Sequence, residues 1–207
     1  MPATPPRPPG RPKDEGLAER RREEILAIAT EVFAAEGFRS ADVQVIADRC
    51  GVGKGTVYRY FPSKEELFLG TVHRVNTRLL DAMREVIRQE FDPIERLVRL
   101  IERFIGFFEE SPDFIELLIQ ERAEFRDRGR LTFFDYRDAL HEELKQFDVE
   151  LEATGRLRNP KDSPDDSAVS ELLYGSILTM HSWQQNVSAR SKRDQVVDVL
   201  LHGILKP

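Results

Sequence analysis

The chain has 207 residues, 40% of them hydrophobic and 33% charged, with a net charge of −6. That length supports one or two domains with a sizeable core. Its single cysteine, Cys50, excludes an intrachain disulfide and a multi-cysteine zinc site, and no uncharged apolar run of ~18 residues marks a membrane span. The N-terminus lacks the apolar stretch of a secretory signal, so a cytoplasmic protein is expected. Residues 1–13 contain six prolines and no large apolar side chain beyond Met1, so residues 1–14 are predicted to be a disordered Pro/Arg-rich arm. Its Pro9-Gly10-Arg11-Pro12 run resembles the centre of minor-groove-binding AT-hook peptides, although a solvated tail is the plainer reading. The first helix begins near 14–16. Ile25, Ile28, Ala29, Val32 and Phe33 form its buried stripe, and Gly37 supplies its stop. A second helix is predicted over 42–49, capped by Asp42 or Ser40. A Gly51-Val52-Gly53 turn separates it from a short third helix over 54–60. Pro62 and Ser63 then open a long fourth helix with Glu65 and Glu66 in its first turn.

The remainder reads as helical throughout. Asp92-Pro93 and Ser111-Pro112 each pair a cap with a first-turn proline, opening helices near 93–109 and 112–126. A break at Gly129 precedes a helix at 131–152, and residues 154–167 form a polar loop. Ser163-Pro164 opens a long helix to about 187. Ser191 with Asp194 forms a capping box for a last helix to about 205. No segment alternates as a strand would. The expectation is therefore an all-α chain of about nine helices, with domains at 15–63 and 64–207.

Charge is distributed unevenly between these parts. Residues 1–64 carry 11 basic and 9 acidic side chains, a net of +2, and the rest of the chain carries −8. A near-neutral head on an acidic body fits a DNA binder with a separate second domain, though such asymmetry is common elsewhere. The third helix carries the stronger signal. In KGTVYRYFPSK, residues 54–64, only Val57 and Phe61 have core character, four apart on one face. The opposite face offers Lys54, Gly55, Thr56, Tyr58, Arg59 and Tyr60. A buried helix would be less polar, and a solvated one has little use for two tyrosines and a glycine. Lys54 and Arg59 can donate to guanine acceptors or phosphates, and Thr56 and the tyrosines to phosphates. Gly55 lets backbone approach a groove floor, and Lys64 places a cation beside a helix N-terminus.

The stretch IADRCGVGKGTVYRYFPSKEEL, residues 46–67, resembles the helix-turn-helix signature of tetracycline-repressor-type (TetR-family) regulators, and the likeness extends over about 15–70. The resemblance implies that Gln44, Lys54, Gly55, Thr56, Tyr58 and Arg59 face bases or nearby backbone. It implies phosphate contacts from Thr56, Tyr58, Tyr60 and Lys64. Ala41 stands where the family often has Thr, and Gln44 where it often has Arg, a change that favours adenine over guanine. Cys50 reads as a core residue rather than a redox sensor.

The resemblance also implies an effector cavity and a four-helix dimer interface in the body. Nine of the thirteen phenylalanines follow residue 90. Core packing is the plainer reading of any one of them. Together, Phe104, Phe108, Leu117, Leu118, Phe134, Arg137, Tyr174, Ile177 and Met180 are the candidates for an apolar ligand site. Arg122, Arg126, Arg137 and His141 can pair a ligand carboxylate or serve surface ion pairs. Leu172, Ser176, Thr179, Trp183, Val197, Leu200, Leu201 and Ile204 are the interface candidates on the last two helices. The four histidines lack metal-ligand spacing, and no catalytic motif stands out, so no enzyme, metal or cofactor is expected. The expected partners are double-stranded operator DNA, a second copy of the chain and a small-molecule effector. The reading is a ligand-responsive repressor binding palindromic DNA as a homodimer. The main alternative is an effector-independent nucleoid or division-site factor, and an enzyme with a vestigial helix-turn-helix is a third.

Overall fold

A computed structural model describes residues 15–158, 167–180 and 189–207. The arm at 1–14, the Ser163-Pro164 opening and Trp183 lie outside these residues, and the side chain of Met180 lies outside those described. Among the described residues there are nine α-helices and one 3-10 turn, Arg126–Arg128, with no strand beyond an isolated bridge between Leu157 and Leu205.

Three helices make the head: α1 (Glu15–Ser40), α2 (Val43–Arg49) and α3 (Lys54–Tyr60). Helix α1 buries Ile25, Leu26, Ala29, Val32 and Phe33, and bends at Gly37, whose φ of +79° suits a residue without Cβ. Asp42, the nearer of the two candidate caps, accepts the Gln44 N–H at 2.8 Å. Val57 and Phe61 insert from α3 into the core against α1 and α2.

Helix α4 (Lys64–Ile87) begins in the head and runs into the body, with Ser63 capping it by accepting the Glu66 N–H at 3.0 Å. It packs on α1 near the head, and on α5 (Pro93–Glu110), α6 (Asp113–Glu124) and α7 (Thr132–Ala153) in the body. Gly70 makes the tight crossing with the head possible. A Cβ there would lie 3.0 Å from Leu26 Cδ2 and 3.1 Å from Phe61 Cε1. Asp92 caps α5 with Pro93 in its first turn, as the sequence indicates.

Four expectations need correction. Pro112, in helical conformation, leads directly into α6, and no side-chain cap is formed, so Ser111 contributes only its carbonyl, which accepts the Phe114 N–H at 3.0 Å. Helix α6 ends at Glu124 because the chain tightens into the 3-10 turn before Gly129, φ +92°. Helix α9 (Ala189–Ile204) already includes Ala189, so Ser191 lies inside it and cannot open it. Part of the expected polar loop is a strap: Arg158 N–H donates to Ile204 O and Lys206 N–H to Arg156 O, both at 2.8 Å. Arg158 Nε adds a bond to Leu205 O at 2.8 Å. The remaining helix, α8 (Ser167–Met180), buries Tyr174 and Ile177 against the body core.

Candidate nucleic-acid interface and body pocket

The helix-turn-helix is fixed from behind. Val57 is fully buried and Phe61 nearly so, which leaves the opposite side of α3 to solvent. Gly55, Tyr58 and Arg59 are exposed there, Tyr58 at 37%, with Lys54, Thr56 and Tyr60 half-buried. Of the six expected residues of α3, Gly55, Tyr58 and Arg59 face solvent, Lys54 and Thr56 are partly covered, and Tyr60 packs partly against the core. A Cβ on Gly55 would meet nothing within 4 Å, so its absence leaves bare backbone at the surface.

The polar groups on this side are held by short-range partners. Lys54 Nζ donates to Asp42 Oδ1 at 3.0 Å, tying the start of α3 to the cap of α2. Gln44 Nε2 donates to Asp48 Oδ1 at 2.7 Å, one turn along α2. The Arg59 guanidinium lies 5.5 Å from the centre of the Tyr60 ring. The Gln44 backbone N–H and then the Lys54 ammonium hold the Asp42 carboxyl below the usual carboxylate range. Cys50 is buried in the head core, and desolvation pushes its thiol up, away from the reactive thiolate.

Lys64 sits at the junction of head and body. Its ammonium donates to Arg39 O at 3.0 Å and lies 5.2 Å from the centre of the Phe38 ring. Arg39 in turn pairs with Glu124 of α6 at 2.8 Å. Gln120 of α6 donates to Phe33 O at 2.8 Å, and Arg128 pairs with Glu65 at 2.7 Å. Phe38, Phe68 and Phe125 close the junction, with ring centroids 4.9 to 5.3 Å apart. The sequence carries no signal for Arg39, Gln120 or Glu124 as junction residues, since their partners are 85 or 87 positions away.

In the body, a pocket of about 100 Å³ opens between α4, α5, α7 and α8. Leu79, Met83, Leu100, Phe104, Phe133 and Leu144 give it an apolar wall. Asn76, Tyr136, Arg137 and His141 add polar groups. Of the nine candidate ligand residues, Phe104 and Arg137 lie on this wall. Phe108, Leu117, Leu118 and Ile177 are buried in the core and form no part of it. Phe134 and Tyr174 pack on Phe133 from outside, with centroids at 5.4 and 4.5 Å. Arg137 is paired with Asp138 at 2.9 Å.

The interface candidates divide into two groups. Val197 and Ile204 point into their own subunit's core, and Leu200 and Leu201 are half-buried against it. Leu172 is 60% exposed, Ser176 is half-buried and Thr179 exposed. Val199 is 70% exposed on the outer side of α9.

Residues 25–71 match the family model of the bacterial regulatory proteins of the tetR family. The chain is similar to the HTH-type transcriptional activator FasR of Mycolicibacterium smegmatis, 35% identical over 109 residues, covering 53% of this chain. That alignment spans about half, 48%, of the FasR chain. It is also similar to the nucleoid occlusion factor SlmA of Vibrio vulnificus, 25% identical over 172 residues, 83% of this chain and 85% of that one. In architecture it matches the fatty acid degradation regulator FadR from Bacillus halodurans with a TM-score of 0.72, covering 88% of this chain and 95% of that chain at 19% identity. No helix among the described residues is long and apolar enough to cross a membrane. Its helix-turn-helix head, set on an all-helical body, is thus a DNA-binding domain of the tetR family of bacterial regulatory proteins.

Proposed function

We propose that the chain is a ligand-responsive repressor that binds a palindromic operator as a homodimer and releases it when a small, largely apolar effector enters the body. Residues 15–63 are the reading head, and residues 64–207 sense and dimerise. The observation that carries the DNA half is the polar side of α3 standing outward while Val57 and Phe61 lock its back. Two such helices, ~34–36 Å apart in a dimer, would enter successive major grooves on one face of the duplex. Leu172 and Val199, apolar and exposed on α8 and α9, support pairing of copies through those helices.

The pocket supports the sensing half. A dry apolar cavity of roughly 150 Å³ accepts a benzene ring, so about 100 Å³ of space suits a compact apolar group. Its walls include α4, which begins at the DNA head, so a ligand that prefers one setting of α4 shifts the spacing of the heads. A coupling of about 1–3 kcal/mol is typical of such linkage.

The likeness to SlmA over 83% of the chain favours a second reading, an effector-independent DNA-binding factor. Operator selection from random duplexes, followed by gel shifts, tests the primary reading. Wild-type protein is expected to select one palindrome, and Tyr58→Ala to bind it at least tenfold more weakly, the scale of ~1.4 kcal/mol. Equal affinity of the variant refutes the assigned face. Many unrelated sites with no palindrome favour the second reading.

A further inference from the structure

Glu121 of α6 is a carboxylate inside the body core, 3% exposed. Thr132 satisfies half of it, donating its backbone N–H to Oε1 at 3.0 Å and its hydroxyl to the same oxygen. The other oxygen, Oε2, finds no hydrogen-bond donor among the described residues. Tyr174 of α8 is equally buried, 3% exposed, and its hydroxyl likewise finds no partner among them. Helices α6 and α8 pack together, and burial, with the Glu121 charge added, pushes the Tyr174 phenol up to about 12. The phenol therefore keeps its proton and can both donate and accept.

A buried carboxylate oxygen without a donor loses its hydration and gains nothing in return. Two such atoms on adjacent helices mark a place that a hydrogen-bonding group would fill. The pocket leads to it. The Tyr174 ring stacks on Phe133 with centroids 4.5 Å apart, and Phe133 is itself pocket wall, as is Leu173 beside Tyr174. Phe133 therefore touches both the pocket and the Tyr174 ring.

We infer that Glu121 and Tyr174 form the head-group end of the effector site, reached past Phe133, and that they select an apolar molecule ending in a hydrogen-bond donor, an ammonium or a hydroxyl. This rests on the effector reading above. Glu121 Oε2 accepts the donor, and the Tyr174 hydroxyl orients it. A carboxylate head is rejected there by the Glu121 charge, and the wall guanidinium that would welcome it, Arg137, is already paired with Asp138. The position also explains how a head group reaches the DNA. Glu121 follows Gln120, which holds Phe33 O, and precedes by three residues Glu124, which holds Arg39. A ligand drawn onto Glu121 acts on the helix that grips the reading head.

Isothermal titration of the full chain with 4-phenylbutylamine, 4-phenylbutanol and 4-phenylbutyrate isolates the head group, because the apolar part is constant. The amine and the alcohol are expected to bind at least tenfold more tightly than the carboxylate, the difference typical of a charge-assisted bond made against one refused. Glu121→Gln removes the charge. If the natural head is an ammonium, the variant brings the amine down to the alcohol's affinity. If it is a hydroxyl, the alcohol already leads in the wild type and loses less in the variant. Tyr174→Phe deletes one oxygen, is expected to fold, and should weaken both ligands a few-fold. Equal binding of the three heads, preference for the carboxylate, no binding of any at millimolar concentration, or an unchanged preference in Glu121→Gln and Tyr174→Phe overturns the assignment. An operator gel shift with the same compounds separates the two claims. Tight amine or alcohol binding without operator release overturns the effector reading alone. Operator release by the carboxylate alone overturns the head-group assignment alone.

Discussion

The ammonium of Lys64 lies 3.0 Å from the carbonyl oxygen of Arg39, and Arg39 Nε lies 2.8 and 3.0 Å from the two oxygens of Glu124. The start of α4, the end of α1 and the end of α6 therefore meet at one point. The Arg39 side chain is 81% exposed, so its ion pair adds little stability. Its consequence is positional: a body helix is tied to the backbone that holds the candidate phosphate-binding lysine. Helix α4 runs from the head to the pocket wall, and the junction adds α6 as a second connection between body and head.

Lys64→Ala is expected to weaken operator binding across all sequences alike and to lower the salt slope of log affinity by about one, as loss of one phosphate contact requires. The measurement is fluorescence anisotropy across a salt series. An unchanged slope means Lys64 stays on Arg39 O in the complex and does not reach the DNA.

Asp42 reports on the same face. Its carboxyl is held low, first by the Gln44 N–H and then by Lys54. A group with a depressed folded pKa contributes stability above its unfolded value of 3.8, and loses it as pH falls below that toward the folded pKa. In a ¹³C NMR titration, Lys54→Ala should raise the Asp42 midpoint toward 3.8 while the cap keeps it from arriving there. Operator binding should raise it in the same direction if Lys54 turns to the DNA. A midpoint unmoved by Lys54→Ala would show that the cap alone sets it.

Gly70→Ala tests the crossing of α4 with the head. The new Cβ meets Leu26 at 3.0 Å and the Phe61 ring at 3.1 Å, both in packed core. Overpacking costs about 1–3 kcal/mol, and the better helix propensity of alanine returns about 1 kcal/mol. A net loss of about 1 kcal/mol should lower the melting temperature by roughly 2–4 °C in a chain of this size. Since Phe61 anchors α3, operator affinity should fall as well. A higher melting temperature with full affinity would mean that Leu26 and Phe61 yield freely.

The head was legible because its signals are local. Gly51 and Gly53 bracket the turn, Asp42 caps the next residues, and the polar surplus of 54–60 has no use in a core. Sequence separation hid the junction, since nothing near Arg39 announces Glu124 85 residues on. The pocket was only partly legible for another reason. Leu79, Met83, Leu97 and Leu100 line it, yet they repeat along α4 and α5 with the same period as fully packed neighbours such as Val72 and Ile105. Periodicity says that a residue faces inward, and it cannot say whether atoms or space lie opposite. Phe108, Leu117 and Leu118 met the pattern for a ligand wall and became core. The strap between 156–158 and 204–206 escaped notice because its pairing joins loop to C-terminus through backbone groups that every sequence has.

Leu172 and Val199 offer a test of the proposed pairing of copies. Each is a large apolar side chain left mostly in water by its own subunit, while Val197 and Ile204 on α9 are already buried at home. If copies pair through α8 and α9, Leu172→Glu or Val199→Glu places a charge in a dry interface, and breaking such packing costs several kcal/mol. The fold of one subunit should be spared, because neither side chain contributes to its core. Sedimentation velocity is expected to give a dimer for the wild type and a monomer for either variant, with far-UV circular dichroism unchanged. Operator affinity should drop by about a hundredfold or more, since two half-sites would no longer be engaged by one linked pair of heads. A wild-type monomer, or variants that remain dimeric and bind normally, would place the contact elsewhere, and the spacing of the two α3 helices would have to be set by another surface.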